Sequence, residues 1–203
     1  MSAPTISTGQ PFLFTPENRE RAERIIARYP KGRQHSAIIP LLDLAQRQNG
    51  GWLSHEAIAY VAELLEMAPM RAIEVATFYT MFNLRPVGRH LIQVCRTTPC
   101  WLRGSDALTE TCLKKLGVDM KEVTPDGLFS VMEVECLGAC VNAPVVQVND
   151  DLYEDLDPAR MEALIDAFAR GETPPHGSQS GRMNSAPDGP WTSLTATGAG
   201  GED

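Results

Sequence analysis

Apolar positions recur with one period in the first half of the chain and another in the second. From Thr15 to about Phe82 the spacing is helical. Thr15 suits a cap and Pro16 the first helical position; Ala22, Ile25, Ile26 and Tyr29 then share a face until Pro30-Lys31-Gly32, which predicts a helix over 16–29. After Ser36, the run Ile38, Ile39, Leu41, Leu42, Leu44 and Ala45 predicts a second helix ending at Asn49-Gly50-Gly51. Pro40 fits there only near the first turn, where few amide donors are in use. Ser54 caps a third helix with Ile58, Val61, Leu64 and Leu65 inward, and Pro69 starts a fourth carrying Ile73, Val75, Ala76, Phe78 and Tyr79. Short helices with short links predict a small antiparallel bundle.

From His90 onward short apolar runs alternate with helical stretches. Leu91, Ile92 and Val94 predict a strand ending at Cys95, Leu102–Leu116 a helix stopped by Gly117, and Phe129–Val134 a strand ending just before Cys136. Val145, Val146 and Val148 predict a further strand, returned by Leu152-Tyr153 across an Asn149-Asp150-Asp151 turn. A last helix spans 158–170, with Met161, Leu164, Ile165 and Phe168 on one face. This is the pattern of an α/β or α+β sandwich. Past Gly171 the chain is rich in Gly, Ser, Pro and Thr, and too poor in aliphatic residues to offset its ordering entropy. The expected organisation is a flexible N-terminus (1–14), a helical bundle (15–86), an α/β domain (87–170) and a disordered tail (171–203), in which Trp191 stands out as a chance residue or a docking contact. A bundle of this size forms only a small core, so part of its apolar surface is expected to meet a partner.

Composition narrows the function. The 203 residues are 43% hydrophobic, enough for a core, and carry 26 Asp and Glu against 18 Lys and Arg, a net charge of −8. With no basic block interleaved with aromatic residues, nucleic acid is excluded as an expected partner. Met1–Phe14 has no basic segment followed by an apolar run, and no stretch approaches the ~20 apolar residues of a spanning helix. The expectation is a soluble, cytoplasmic protein or one peripheral to a membrane. In such a reducing setting paired cysteines are more often metal ligands or redox groups than disulfides.

Four of the five cysteines form two close pairs, Cys95 with Cys100 and Cys136 with Cys140. Four thiolates suit an iron-sulfur cluster, which also needs amide donors to its sulfurs; Pro99, Gly138 and Ala139 give tight loops in which backbone can approach. A structural zinc site also takes four thiolates, but its pairs usually lie within small loop-rich modules and not across a domain core. A thioredoxin-type dithiol wants Cys-x-x-Cys, which is absent. Inert buried thiols remain a further reading. Arg96 and Arg103 either offset cluster charge or are solvated side chains; Glu133 and Glu135 alternate with Val134 and read as solvent-facing. Cys112 falls in helical register with Leu108, Leu113 and Leu116 and reads as a buried structural thiol. His35, His55, His90 and His176 show no metal-ligand spacing, and Gly50-Gly51 is a turn between helices and not a phosphate loop.

The sequences Cys95-Arg-Thr-Thr-Pro-Cys100 followed by Gly104, and Glu135-Cys-Leu-Gly-Ala-Cys140 followed by Asn142-Ala-Pro144, resemble the thioredoxin-like [2Fe-2S] ferredoxin domain found in the E subunits of NADH-quinone oxidoreductases. Gly51-Trp52-Leu53 and Glu74-Val-Ala-Thr-Phe-Tyr79 with Phe82 resemble the helical segment that precedes it, so the likeness covers about residues 12 to 170. The resemblance implies an α+β fold with a helical bundle before a thioredoxin-like domain, and one [2Fe-2S] cluster ligated by Cys95, Cys100, Cys136 and Cys140. It implies a partner, the flavin-bearing F subunit that binds NADH and FMN, in the peripheral arm of respiratory complex I. That places the chain on the cytoplasmic side of a bacterial inner membrane, or the matrix side in a mitochondrion. The chain would carry electrons with no catalytic acid, base or nucleophile of its own. Soluble NAD-linked hydrogenases and formate dehydrogenases use related modules and remain alternatives, as does a zinc-stapled interaction module.

Overall fold

A computed structural model describes residues 5–187 and 189. They divide into two compact units, one running to Arg89 with Pro125–Gly127 added, the other comprising His90–Thr124 and Leu128 onward.

In the first unit α1 (Pro16–Ile26), α2 (Ile38–Gln48), α3 (His55–Leu64) and α4 (Pro69–Phe78) fall where the periodicity places them. The Thr15 side chain accepts from the Asn18 N–H and Ser54 Oγ from the Ala57 N–H at 3.1 Å, satisfying amides that a first turn leaves without helical partners. Pro40 lies in the first turn of α2, after a 3-10 turn over Gln34–Ala37. The helix α1 stops at Ile26 and not at residue 29, because the amides of Arg28 and Tyr29 bond the carbonyls three residues back and tighten the turn. Leu41, Leu42, Leu53, Ala57, Ile58, Val61 and Ala62 form a core from which water is excluded. Met70 and Phe78 on α4, with Tyr79 and Met81 beyond it, stay exposed. No helix among the described residues is long and apolar enough to cross a membrane.

The segment before α1, expected to be flexible, is fastened from residue 6 to Phe14. Glu56 accepts from Ser7 Oγ and from the amides of Thr8 and Gly9, Ile6 O accepts from the His55 N–H, and Phe14 is buried. Phe12, Phe14 and Tyr60 meet edge to face with centroids 5.2–5.7 Å apart. The sequence signal was present in Phe12-Leu13-Phe14, an apolar run adjoining the first cap.

The second unit contains β1 (His90–Cys95), α5 (Thr98–Leu102), α6 (Ser105–Leu116), β2 (Phe129–Val134), β3 (Val146–Val148), β4 (Asp151–Glu154), α7 (Pro158–Ala169) and β5 (Gly177–Ser178). The strands form one mixed sheet in the order β2-β1-β3-β4-β5. β1 runs parallel to β2 and antiparallel to β3, with Ile92 opposite Val131 on one side and Val148 on the other. A parallel pair needs a long crossover, which α5 and α6 supply. Ile92, Val94 and Val131 share a dry core with Leu108 and Cys112 of α6 and Met161, Ile165 and Phe168 of α7. Lys115 and Asp166 tie the two helices at 2.8 Å.

Two further expectations are corrected. The helix expected over 102–116 starts at Ser105, as α6, because Gly104 takes φ +93° before it, a conformation that costs other residues strain, and Leu102 instead ends the separate short helix α5. The disordered tail does not begin at 171. Strand β5 pairs with β4, Tyr153 Oη donates to Pro174 O at 3.2 Å, and Arg182 is ion-paired with Asp155. Polar pairing, which apolar composition does not register, holds residues 171–187. Trp191 lies outside the described residues.

Candidate metal centre

Strand alternation sets the first cysteine pair. Side chains two apart share a face, so Ile92 and Val94 enter the main core while Cys95 points to the other side of the sheet. There it forms a separate small core with Cys100, Ala143 and Val145. Thr97 stands at the start of α5, but its hydroxyl does not cap the helix; Oγ1 lies 3.3 Å from Cys95 Sγ. Pro99 in the first turn of α5 helps to start that helix, and the turn carries Cys100 back beside Cys95. Cys100 therefore sits on a helix and not on the loop expected for it.

The second pair follows the end of β2. Cys136 is exposed, Cys140 is half-buried, and their sulfurs are 3.4 Å apart. Gly138 between them has φ +90°, the sharp turn its sequence predicts. Leu137 and Ala139 pack against the small core of the first pair, so the loop alternates inward apolar side chains with outward cysteines. Cys140 opens a 3-10 turn, Cys140–Asn142, against which α5 packs, and the following Ala143–Pro144 peptide is cis. Both pairs thus meet at one end of the sheet. Trp101, Leu102 and Val141 leave apolar surface exposed next to the cysteines.

The thiols differ electrostatically. Burial pushes the Cys95 thiol up, but Thr97 Oγ1 and the amides of Thr97 and Leu137 outweigh it and hold the group below its ordinary value. Cys100 is pushed up to about 12, first by burial and then by its contact with Cys95. At the surface the close contact between the two sulfurs, and then the Gly138 amide, lower Cys136, while Cys136 in turn raises Cys140. Each pair therefore holds one thiol that loses its proton readily and one that retains it. Amides at Thr97, Leu137, Gly138 and Val145 all favour negative charge on the sulfurs. That is the donor set an anionic iron-sulfur centre calls for. Among the described residues no three His, Cys, Asp or Glu side chains are gathered tightly enough to hold a single ion.

The other residues singled out by sequence separate from this site. Cys112 is fully buried in α6, its thiol pushed up to about 12 by burial. Arg96, just past the end of β1, pairs with Glu133 of β2 at 3.4 Å, and Glu135 is exposed. The roles of the Thr97 hydroxyl and the Val145 amide were not foreseen. Thr97-Thr98-Pro99 is a helix-start signature, from which α5 was available.

Residues 22–169 match the thioredoxin-like [2Fe-2S] ferredoxin family. The chain is 66% identical over 155 residues to the E subunit of the NADH-quinone oxidoreductase of Rickettsia bellii (strain RML369-C), which covers 76% of this chain and 93% of that protein. It is 52% identical over 180 residues to a protein of Dictyostelium discoideum named NADH dehydrogenase [ubiquinone] flavoprotein 2, mitochondrial, covering 89% of this chain and 72% of the other. Among solved structures, an air-oxidized NAD+-reducing [NiFe]-hydrogenase superposes with a TM-score of 0.56 at 25% identity over 64% of this chain and 23% of the much longer hydrogenase chain. With a family match over most of its length and the two cysteine pairs at one end of the sheet, the chain belongs to the thioredoxin-like [2Fe-2S] ferredoxin family.

Proposed function

We propose that this protein is the electron-transferring E subunit of an NADH-quinone oxidoreductase, and that Cys95, Cys100, Cys136 and Cys140 are the ligands of its single [2Fe-2S] cluster. The observation that carries the reading is the 66% identity to an E subunit of such an enzyme over 93% of that relative's length. The paired thiols support the ligand set, because a two-iron centre takes two thiolates on each iron. When bound, the cluster supplies one-electron exchange. The chain's own residues hold and tune it: Thr97 Oγ1 and the Thr97, Leu137, Gly138 and Val145 amides stabilise negative charge on the sulfurs, and the small core of Ala143 and Val145 keeps water from Cys95 and Cys100. NADH and FMN belong to the partner, the flavin-bearing F subunit; Trp101, Leu102 and Val141 offer an apolar rim for that contact. The assembly would lie on the cytoplasmic face of a bacterial membrane or the matrix face of a mitochondrial one.

The likeness to an NAD+-reducing hydrogenase supports a second reading, the equivalent module of a soluble NAD-linked enzyme. Affinity purification of the full chain from its own cells separates the two. Co-purification with an NADH-oxidising flavoprotein and membrane subunits that reduce quinone is expected; recovery with a soluble hydrogenase or formate dehydrogenase would replace the complex I assignment. Iron and zinc analysis with visible and paramagnetic spectra, before and after dithionite, tests the centre itself. Stoichiometric zinc without iron would sink the electron-transfer reading.

A further inference from the structure

The segment after α7 lies beyond the family match, yet it is tied to the turn that carries Cys140. Strand β5 pairs with β4, and the Gln179 N–H donates to Glu154 O at 2.9 Å. The Arg182 guanidinium then turns inward. Its Nε donates to Asp155 Oδ2 at 3.2 Å and its Nη2 to Asp155 Oδ1, with only 12% and 10% of the two side chains exposed. Ser178 Oγ donates to the same carboxylate at 2.6 Å. From this anchor two contacts reach the Cys140 turn: Arg182 Nη2 to Val141 O at 3.4 Å, and Asn142 Nδ2 to Asn184 O at 2.8 Å. Asp155 approaches the turn from the other side, its N–H donating to Asn142 O at 2.7 Å. Asn142, 3% exposed, also donates to Glu154.

These contacts fall one and two residues after Cys140, in the less buried of the two cysteine pairs. The segment that makes them has little apolar surface to hold it, so its attachment depends on β-pairing and on a nearly buried ion pair. Such a pair is strongly destabilised when one partner is removed and the other charge is left alone.

We infer that residues 177–184 form a strap that locks the Cys140–Asn142 turn in place, with Arg182 and Asp155 as positioning residues for Cys140. The inference rests on Cys140 being a cluster ligand. Ligands need support from residues that are themselves fixed, and the Cys136–Cys140 loop has less of its own: Cys136 is exposed and Cys140 half-buried, whereas Cys95 and Cys100 are enclosed.

Hydrogen exchange and chelator-driven iron loss in the full-length holoprotein test the strap. In the wild type, the Gln179, Asn142 and Ala143 amides should be protected; exchange of residues 177–184 at the rate of an unstructured peptide would overturn the inference without any variant. In Arg182→Gln, exchange at Asn142 and Ala143 and iron loss to a chelator should both rise, by about tenfold, since both follow local opening. The amides of α6 and α7 should keep their rates. Arg182→Lys, which keeps the charge and loses the planar fork, should fall between. Wild-type rates in Arg182→Gln would overturn the strap. Should that variant not fold, Asp155→Asn with Arg182→Gln removes both charges and reads the same two rates; unchanged rates there overturn it equally. Cys140→Ser separates the two readings. Retention of the native spectrum would end the ligand assignment, whereas its loss beside an unaffected Arg182→Gln would end the strap alone.

Discussion

Cys95 and Cys100 are each 1% exposed, whereas Cys136 lies at the surface and Cys140 is half-buried. Both pairs begin where a strand ends, but they are held by different means. The first is enclosed between a strand end and the short helix α5, and its geometry is set by the same packing that folds the sheet. The second hangs on a glycine turn whose inward anchors are Leu137 and Ala139, with polar contacts behind it. Burial alone does not set the chemistry of either side. Cys95 and Cys112 are both buried, yet donors outweigh desolvation at the first thiol, whereas at the second a backbone hydrogen bond offsets only part of it.

The largest effect should come from the proposed ligands. Cys100→Ser and Cys136→Ser should each abolish or grossly alter the [2Fe-2S] spectrum, while Cys112→Ser should leave it intact; loss of the spectrum in Cys112→Ser would overturn the ligand set. The metal-free forms sharpen the contrast. A serine hydroxyl at buried position 100 should cost about 1–3 kcal/mol of unfolding free energy, measured by denaturant titration, and at exposed position 136 almost nothing. Equal costs would mean that the two pairs are equally enclosed.

Thiol labelling of the metal-free protein comes next. Cys136 combines exposure with a lowered pKa, whereas Cys100 and Cys112 are buried and pushed up to about 12. Mass spectrometry after iodoacetamide at neutral pH should find Cys136 modified at least about a thousandfold faster, since only the thiolate reacts. First modification at Cys100 would contradict the enclosed pair.

Alkaline stability tests a thiol at which burial dominates. The Cys112 thiol is raised in the folded protein, so the fold binds more protons than the unfolded chain once the pH exceeds the unfolded thiol value of about 8.5. Its contribution is complete below that pH and is lost as the pH rises toward the folded value, by about 1.4 kcal/mol per pH unit. In the metal-free protein Cys112→Ala should reduce the slope of an unfolding series between roughly pH 9 and 11 by this share, leaving the one that the raised Cys100 thiol contributes. An unchanged slope would show that Cys112 is not the group responsible.

The smallest effect belongs to Thr97. Thr97→Val removes the hydroxyl 3.3 Å from Cys95 Sγ while keeping the side chain's shape, so the Cys95 thiol should titrate higher in the metal-free protein. A change at Cys136 larger than that at Cys95 would break the local account of the two pairs.

Much of this was legible in the sequence. The residues Ile38–Ala45 announce their helix by period and Ser54–Leu65 theirs by period and cap, and Phe129–Val134 is a strand where the sequence predicts one. Cys112 was placed correctly by helical register with Leu108. What escaped was held by contacts between residues distant in sequence. The segment Ser7–Gly9 is fixed by Glu56, more than forty positions away, and residues 177–184 by Asp155 and Asn142. Composition called both segments flexible because it registers apolar burial and not a carboxylate waiting for donors. The boundary between α5 and α6 escaped for a local reason: the helix expected from Leu102 is interrupted by a single positive φ at Gly104, and α5 lies before it over Thr98–Leu102.

By itself the sequence determined which groups are available to bind metal and where chain turns place them, because strand alternation, helix caps and glycine positions act over a few residues. The tertiary structure decided how unlike the two pairs are. Which thiol is enclosed, which amides point at sulfur and which distant side chains brace the Cys140 turn depend on β1, β2, α5 and the 177–184 segment arriving at one end of the sheet, and local spacing does not encode that convergence.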